Sequence, residues 1–528
     1  MSQWLTLRNG EPARLDRLPL LSMSELVAEV VARCEEGERP VAFFGVAEGD
    51  LGRGGEAERG GSEPGGGSER AREGILLVVA LADDRASLLS LASAHLPRSG
   101  RGSSYPALTS YVPAFHHFER ELHEEFGVEP SGHPWLKPVR YPVGARAKGE
   151  LPERYPFFIA TGEGVHEVGV GPVHAGVIEP GHFRFMCRGE TVDHLEIQLG
   201  YQHRGVESLF REGRFAEKAP LAESIAGDSA IAHTTAYLAC VEALAGFAAS
   251  PWAGRTRTIA LELERIALHL GTLSALAGDV AYLTGSALFG GVRTLVINTT
   301  LAVCGSRFGR GWLRPGGDRY AIDGDLSLRI EEALATVEHR TRRGAEVMFN
   351  SPSVLSRFQG TGRVDRSIAA QIGMVGLAAR ASDLPRDVRR DHPIPGAQAE
   401  VPEVVTLESG DVYARAYLRF LEIGRSIALI RASLARLIEQ PEPLRGTGPR
   451  GVGPLAPDSI VLSLVEGHRG EIVHAALTDS AGRCARYKIK DPSFNNWFAL
   501  ALAVRGEGIS DFPLCNKSFD LSYAGHDL

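Results

Sequence analysis

Glu223-Ser-Ile-Ala-Gly-Asp-Ser-Ala-Ile-Ala-His233 is the stretch on which the reading of this chain turns. It opens the most apolar long run of the sequence, residues 230–249. Ser229 and His233 stand four residues apart and therefore share a helix face, with Asp228 on a neighbouring face of the same first turn. A lone histidine on an apolar helix is more often a core residue bonded to a carbonyl than a ligand. The chain closes on a second stretch to be read with it, Asp511-Phe-Pro-Leu-Cys-Asn-Lys-Ser-Phe-Asp-Leu-Ser-Tyr-Ala-Gly-His-Asp-Leu528.

Around these stretches the composition is that of a soluble globular protein. With 528 residues, 44% hydrophobic and 23% charged, two domains or one large elaborated domain are expected. A formal charge of -8 with dispersed basic residues gives no reason to invoke nucleic acid. No secretory signal and no transmembrane segment are read; the run at 230–249 contains His233 and Glu242, which a membrane span tolerates poorly. Cys34, Cys187, Cys240, Cys304, Cys484 and Cys515 form no Cys-x-x-Cys pair, so reduced thiols are expected rather than a disulfide framework or an Fe–S site. No glycine-rich dinucleotide fingerprint follows a strand, and no P-loop is present.

Residues 51–73 are Gly- and Glu-rich and predict a mobile loop, inserted between two buried strands, Pro40-Val-Ala-Phe-Phe44 and Ile75-Leu-Leu-Val-Val-Ala-Leu81. Breakers near 140–155 predict a boundary. His182-Phe-Arg-Phe-Met-Cys187 and Thr191-Val-Asp-His-Leu-Glu-Ile-Gln198 read as a hairpin, as do Ile460-Val-Leu-Ser-Leu-Val465 and Glu471-Ile-Val-His-Ala-Ala-Leu477. Apolar spacing predicts core helices at 259–277 and 412–438. The expected fold class is α+β. A small N-terminal α/β unit spans 1–145, and a larger helical-core unit with peripheral antiparallel sheets spans 155–528.

The N-terminal unit carries Ser104-Tyr-Pro-Ala-Leu-Thr-Ser-Tyr-Val-Pro113, Phe118-Glu-Arg-Glu-Leu-His-Glu-Glu-Phe-Gly127 and Pro130-Ser-Gly-His-Pro134. This series resembles the small hydrophilic subunit of respiratory complex I. Beyond residue 155 come Gly171-Pro-Val-His174, Glu179-Pro-Gly-His-Phe-Arg184, His203-Arg-Gly-Val-Glu207, Glu262-Leu-Glu-Arg-Ile-Ala-Leu-His269, Arg314-Pro-Gly-Gly317, Asp387-Val-Arg-Arg-Asp-His-Pro393 and Asp491-Pro-Ser-Phe494. These resemble the complex I catalytic-core subunit and the large subunit of nickel–iron, energy-converting hydrogenases. A fused pair of this kind is similar to the large subunits of formate hydrogenlyase and hydrogenase-4.

The resemblance implies a nickel–iron hydrogenase large-subunit type of fold, and it implies a site. That family holds its metals with one Cys-x-x-Cys pair in each of the two opening stretches. Here the four positions read Ala226, Ser229, Ser522 and Gly525, so no metal is expected, since a two-metal site needs several thiolates and Cys515 alone cannot supply them. The complex I quinone pair is missing too: four residues beyond His174 stands Ile178, and no tyrosine stands near Ala226 and Gly227. His174, Glu179, Asp228 and His233 are the residues expected to line the vacated cavity or relay protons. Arg380 with Asp387, and Asp411 with Arg415, are expected as structural ion pairs.

The resemblance further implies a core subunit of a membrane-associated oxidoreductase complex that binds no cofactor directly. Its partners would be a small Fe–S subunit, which carries the cluster, and antiporter-like and helical membrane subunits. A quinone-like molecule would be the acceptor, and the chain would sit peripherally on the cytoplasmic side of the cell membrane. Two alternatives are a non-catalytic scaffold between the Fe–S subunit and the membrane arm and, less well supported, a true nickel–iron hydrogenase.

Overall fold

A computed structural model describes the chain except for residues 1–3, 53–73, 98–102, 142–148, 150–151, 175–177, 395–400 and 440–450. Strands β1 (Arg39–Ala47) and β2 (Ile75–Asp83) pair antiparallel, as the two apolar runs predict, and β3 (Leu88–Leu96) pairs with β2 on the other side. The expected mobile loop lies outside the described residues from position 53 onward; the strands that flank it are direct neighbours. Short strands at Leu5–Leu7 and Leu20–Leu21 complete this sheet along β3.

The two expected hairpins form. β4 (His182–Arg188) pairs with β5 (Thr191–Gln198), and β6 (Ser459–Glu466) pairs with β7 (Glu471–Thr478), which β8 (Cys484–Lys490) extends. The last of these sheets is not peripheral, as the sequence had suggested. Every residue of β6, β7 and β8 is buried. Alternation explains it, because each face finds an apolar cover. Ile460, Leu462, Leu464, Val473 and Leu477 pack with Val41, Phe44, Val78 and Leu89 of the N-terminal sheet. Val465 and Ile472 pack with Ala232 and Ala236 of α1 (Ala230–Leu244), a helix buried on nearly all sides. Ala13 and Arg14 even add a short strand to the edge of β6. The segments 1–145 and 155–528 therefore contribute together to the apolar cluster between these two sheets.

The helical part is built on α2 (Pro251–Asp279), α3 (Leu283–Cys304), α4 (Gly324–Met348) and α5 (Val412–Glu439). α2 packs against α3 and α5, and α4 against both of those as well. The periodic apolar residues that predicted α2 and α5 are the ones buried, Leu263, Ile266 and Leu270 facing the bundle with Ile423, Ile427 and Ile430. No spanning helix was expected, but α3 is long and apolar enough to cross a membrane by length and composition, with mean hydropathy 1.5 and 39% of that window buried. Phe289, Val292 and Val296 point it into the bundle. Three short helices close the chain: α6 (Pro492–Ala503), α7 (Phe512–Phe519) and α8 (Tyr523–Asp527).

Candidate functional site

Four pieces of chain converge where the two opening stretches meet: the start of α1, the tight turn between β6 and β7, the N-terminus of α6, and the α7–α8 corner. The turn is closed by two backbone bonds between Gly467 and Gly470. Gly470 has φ +135, and a Cβ there would stand 2.6 Å from the Gly376 Cα, so only glycine permits the turn at this closeness. The turn presents His468 and Arg469.

Arg469 is the hub. Its guanidinium donates to both Asp228 oxygens at 2.7 and 2.8 Å and to Ser229 Oγ at 3.3 Å. It also donates to the Asp520 carbonyl, and it lies 3.8 Å from the Asp520 carboxylate. Bidentate geometry of this kind is what guanidinium supplies and ammonium does not. Burial by itself would raise Asp228, but Arg469 outweighs it and holds the carboxyl below its ordinary range. Asp520 is likewise lowered against burial, by Arg469 and by His468. His468 is buried and kept neutral, with burial first and Arg469 second pushing it down. Its Nδ1 lies 3.4 Å from Ser229 Oγ.

One turn deeper on α1, His233 joins a buried chain. Its Nε2 meets Asp491 Oδ2 at 3.1 Å and its Nδ1 meets His474 Nε2 at 3.1 Å, while His474 Nδ1 meets the Tyr487 hydroxyl at 2.6 Å. Asp491 sits at the N-cap of α6, accepting from Ser493 N, and His233 lowers its pKa to about 2 against the effect of burial. The distances admit an arrangement in which Tyr487 donates to His474, His474 to His233, and His233 to the Asp491 carboxylate.

The four positions that the resemblance assigns to metal-binding cysteines are all packed. Ala226 is fully buried, and Ser229 bonds as above. Ser522 caps α8, its Oγ accepting from Gly525 N at 2.9 Å. A Cβ on Gly525 would stand 2.7 Å from the Asp491 carboxylate and 3.0 Å from Ser522 Oγ. No position supplies a thiolate, and the fourth has no room for one. Cys515, the nearest cysteine in sequence, is buried, and burial pushes its thiol up to about 12. The residues present therefore do not fit a nickel–iron centre.

The residues expected from sequence fall in two places. Asp228 and His233 belong to the site. Glu179 touches its rim: its carboxylate accepts from the Tyr523 and Ala524 backbone N–H groups at 3.2 and 3.4 Å, capping α8. His174 bonds within its own loop, to the Gly181 carbonyl at 2.9 Å. The loop lies close enough to α8 that a Cβ on Gly181 would meet the Tyr523 ring at 2.6 Å. Sequence reasoning missed His468, Arg469, His474, Tyr487 and Asp520. The signal for the first two was Gly467-His-Arg-Gly470 itself, a polar tip with a glycine at each end between two strands. Of the expected ion pairs, Arg380 binds Glu422 and Glu466 closely and Asp387 at 3.6 Å. Asp411 and Arg415 do not pair as expected: Asp411 caps α5 through Ala414 N, and Arg415 donates to the Gly410 and Gly362 carbonyls.

Residues 279–449 and 450–527 match the family described as Respiratory-chain NADH dehydrogenase, 49 Kd subunit. Formate hydrogenlyase subunit 5 of Escherichia coli (strain K12) is 29% identical over 443 residues, covering 80% of this chain and 77% of its own. The carbon monoxide-induced hydrogenase of Rhodospirillum rubrum is 30% identical over 361 residues, covering 67% of this chain and 97% of its own. Among solved structures, a chain of the membrane-bound sulfane sulfur reductase, an archaeal respiratory membrane complex, superposes with a TM-score of 0.64 at 21% identity. That match covers 70% of this chain and 100% of the other, and it speaks for the fold.

Proposed function

The chain belongs to the hydrogenase-4 and formate hydrogenlyase large-subunit family, and from that premise we propose that it is the core subunit of a membrane-associated oxidoreductase complex without hydrogenase chemistry. In this reading it faces the cytoplasm and passes electrons from an Fe–S partner to a quinone-like acceptor, or couples their arrival to proton movement. Antiporter-like and helical membrane subunits complete the complex. The observation that carries the reading is the Asp228–Arg469–Asp520 clamp. Two carboxylates, each partly open to solvent, are held ionised on one buried guanidinium where the hydrogenases hold metal. Such a clamp presents fixed charge to a reacting group, and the neutral His468 beside it offers a proton-handling nitrogen. His174 and Glu179 serve here as the loop that holds α8 in place.

A second reading has its own support. The tight packing of Gly525 on Asp491, and Glu179 spent on capping, suit a scaffold that joins the Fe–S subunit to the membrane arm. Purified complex assayed for NADH- or ferredoxin-dependent quinone reduction is the test, in wild type and in Asp228→Asn. Turnover that falls at least tenfold in the variant, with subunit composition intact, is expected. Equal turnover in both would favour the scaffold, and no reduction of any quinone by the wild-type complex would sink the quinone version.

A further inference from the structure

A groove of about 350 Å³ runs between α2, α3 and the end of α7, with Asp520 of the clamp in its wall. That volume is within the range of small-molecule sites, roughly 300–1,000 Å³. Small residues bring the two helices together and leave the space between them. A Cβ on Gly290 would stand 3.3 Å from Ser274 Oγ, and one on Gly271 would stand 3.2 Å from both Cδ and Nε of Arg293. Leu268 and Ala275 supply apolar wall.

The charges lining this groove do not balance. Lys517 is paired with Asp279. Asp520 accepts from Thr272 Oγ1 at 2.9 Å and stands 3.8 Å from the Arg469 guanidinium. Arg293 has no such counterpart: among the described residues no hydrogen bond or ion pair engages its guanidinium. It is the one charged residue of α3, and its stem lies over Gly271 in the groove, away from the open face that Ala287, Gly291 and Thr294 present. A half-buried guanidinium without a counter-charge suits a planar oxyanion, which it can hold through two parallel N–H bonds. A cation is disfavoured, since Arg293 and Lys517 repel it and Asp520 is already matched by Arg469.

We propose that this groove binds a small organic oxyanion, its carboxylate-type head on the Arg293 guanidinium and its body against Leu268 and Ala275. Such binding requires no electron transfer, so it stands or falls apart from the oxidoreductase reading. The test is calorimetric titration of the full chain, at low salt, with benzoate and with benzamide, which have nearly the same shape and differ in the charge of the head. One benzoate per chain is expected, with benzamide at least roughly tenfold weaker. Arg293→Gln should erase that difference. Gly271→Leu keeps the guanidinium but fills the groove where its stem lies, and should weaken benzoate at least roughly tenfold, which a diffuse attraction to a surface charge would not do. The proposal is overturned if benzoate does not bind to wild type, if the two probes bind equally, if Arg293→Gln keeps the preference for benzoate, or if Gly271→Leu leaves the benzoate affinity unchanged. The wild-type comparison needs neither variant to fold.

Discussion

At the scale of single residues, three of the four positions that the resemblance assigns to cysteine have a task of their own: Ser229 is a hydrogen-bond partner of Arg469, Ser522 is a helix cap, and Gly525 leaves its side-chain space to Asp491. Asp491 is thus the residue on which the site's packing rests. Its pKa near about 2, against an ordinary 3.8, makes it stabilising when ionised. The stabilisation is present above about pH 4 and is lost as the pH falls through 4 toward 2, because the unfolded chain then binds the proton more readily. Asp491→Asn is expected to cost about 2 kcal/mol at pH 7. Urea unfolding of both proteins should show the gap shrinking by pH 3, and a gap unchanged between pH 7 and pH 3 would contradict the assignment.

At the scale of elements, the decisive piece is the β6–β7 turn. Strand periodicity made both strands legible, because a hydrophobic run reports burial wherever it is placed. It said nothing of what the turn would touch. Arg469 reaches Asp228, 241 residues away in sequence, only because Gly470 lies against Gly376. Gly470→Ala must move the turn, since its Cβ would overlap Gly376. A loss of roughly 2 kcal/mol or more is expected, and a fall in turnover of the complex should accompany it. Full stability with full turnover would show that the turn is not what positions Arg469. The Asp411–Arg415 pair teaches the same lesson from the other side. Their spacing on a helix permitted a pair, but the first turn needed a cap and the guanidinium found carbonyls.

At the scale of the whole molecule, the N-terminal sheet and the C-terminal sheet are joined by charge as well as by apolar contact. Arg39 donates to Asp84 and to Glu471, and Lys490 donates to the other oxygen of Glu471. Both cations and Glu471 are buried. Glu471→Gln leaves the buried Lys490 without the carboxylate it donates to and Arg39 with Asp84 alone, and is expected to cost about 3 kcal/mol. Calorimetry should show a single transition lowered as a whole, and a variant in which only one of two separate transitions shifts would mean the two sheets unfold independently. The sequence by itself determined the family, the hairpin strands, two of the four long bundle helices and the missing sulfur, because these depend on periodicity and on residue chemistry at fixed spacing. Only the tertiary structure decided that the last sheet lies in the middle of the molecule and that Arg469 takes the place at the centre of the site. It also decided that Asp491 fills the space a fourth ligand would need. Those outcomes depend on contacts between residues hundreds of positions apart, where no local pattern carries the information and close packing alone selects the arrangement.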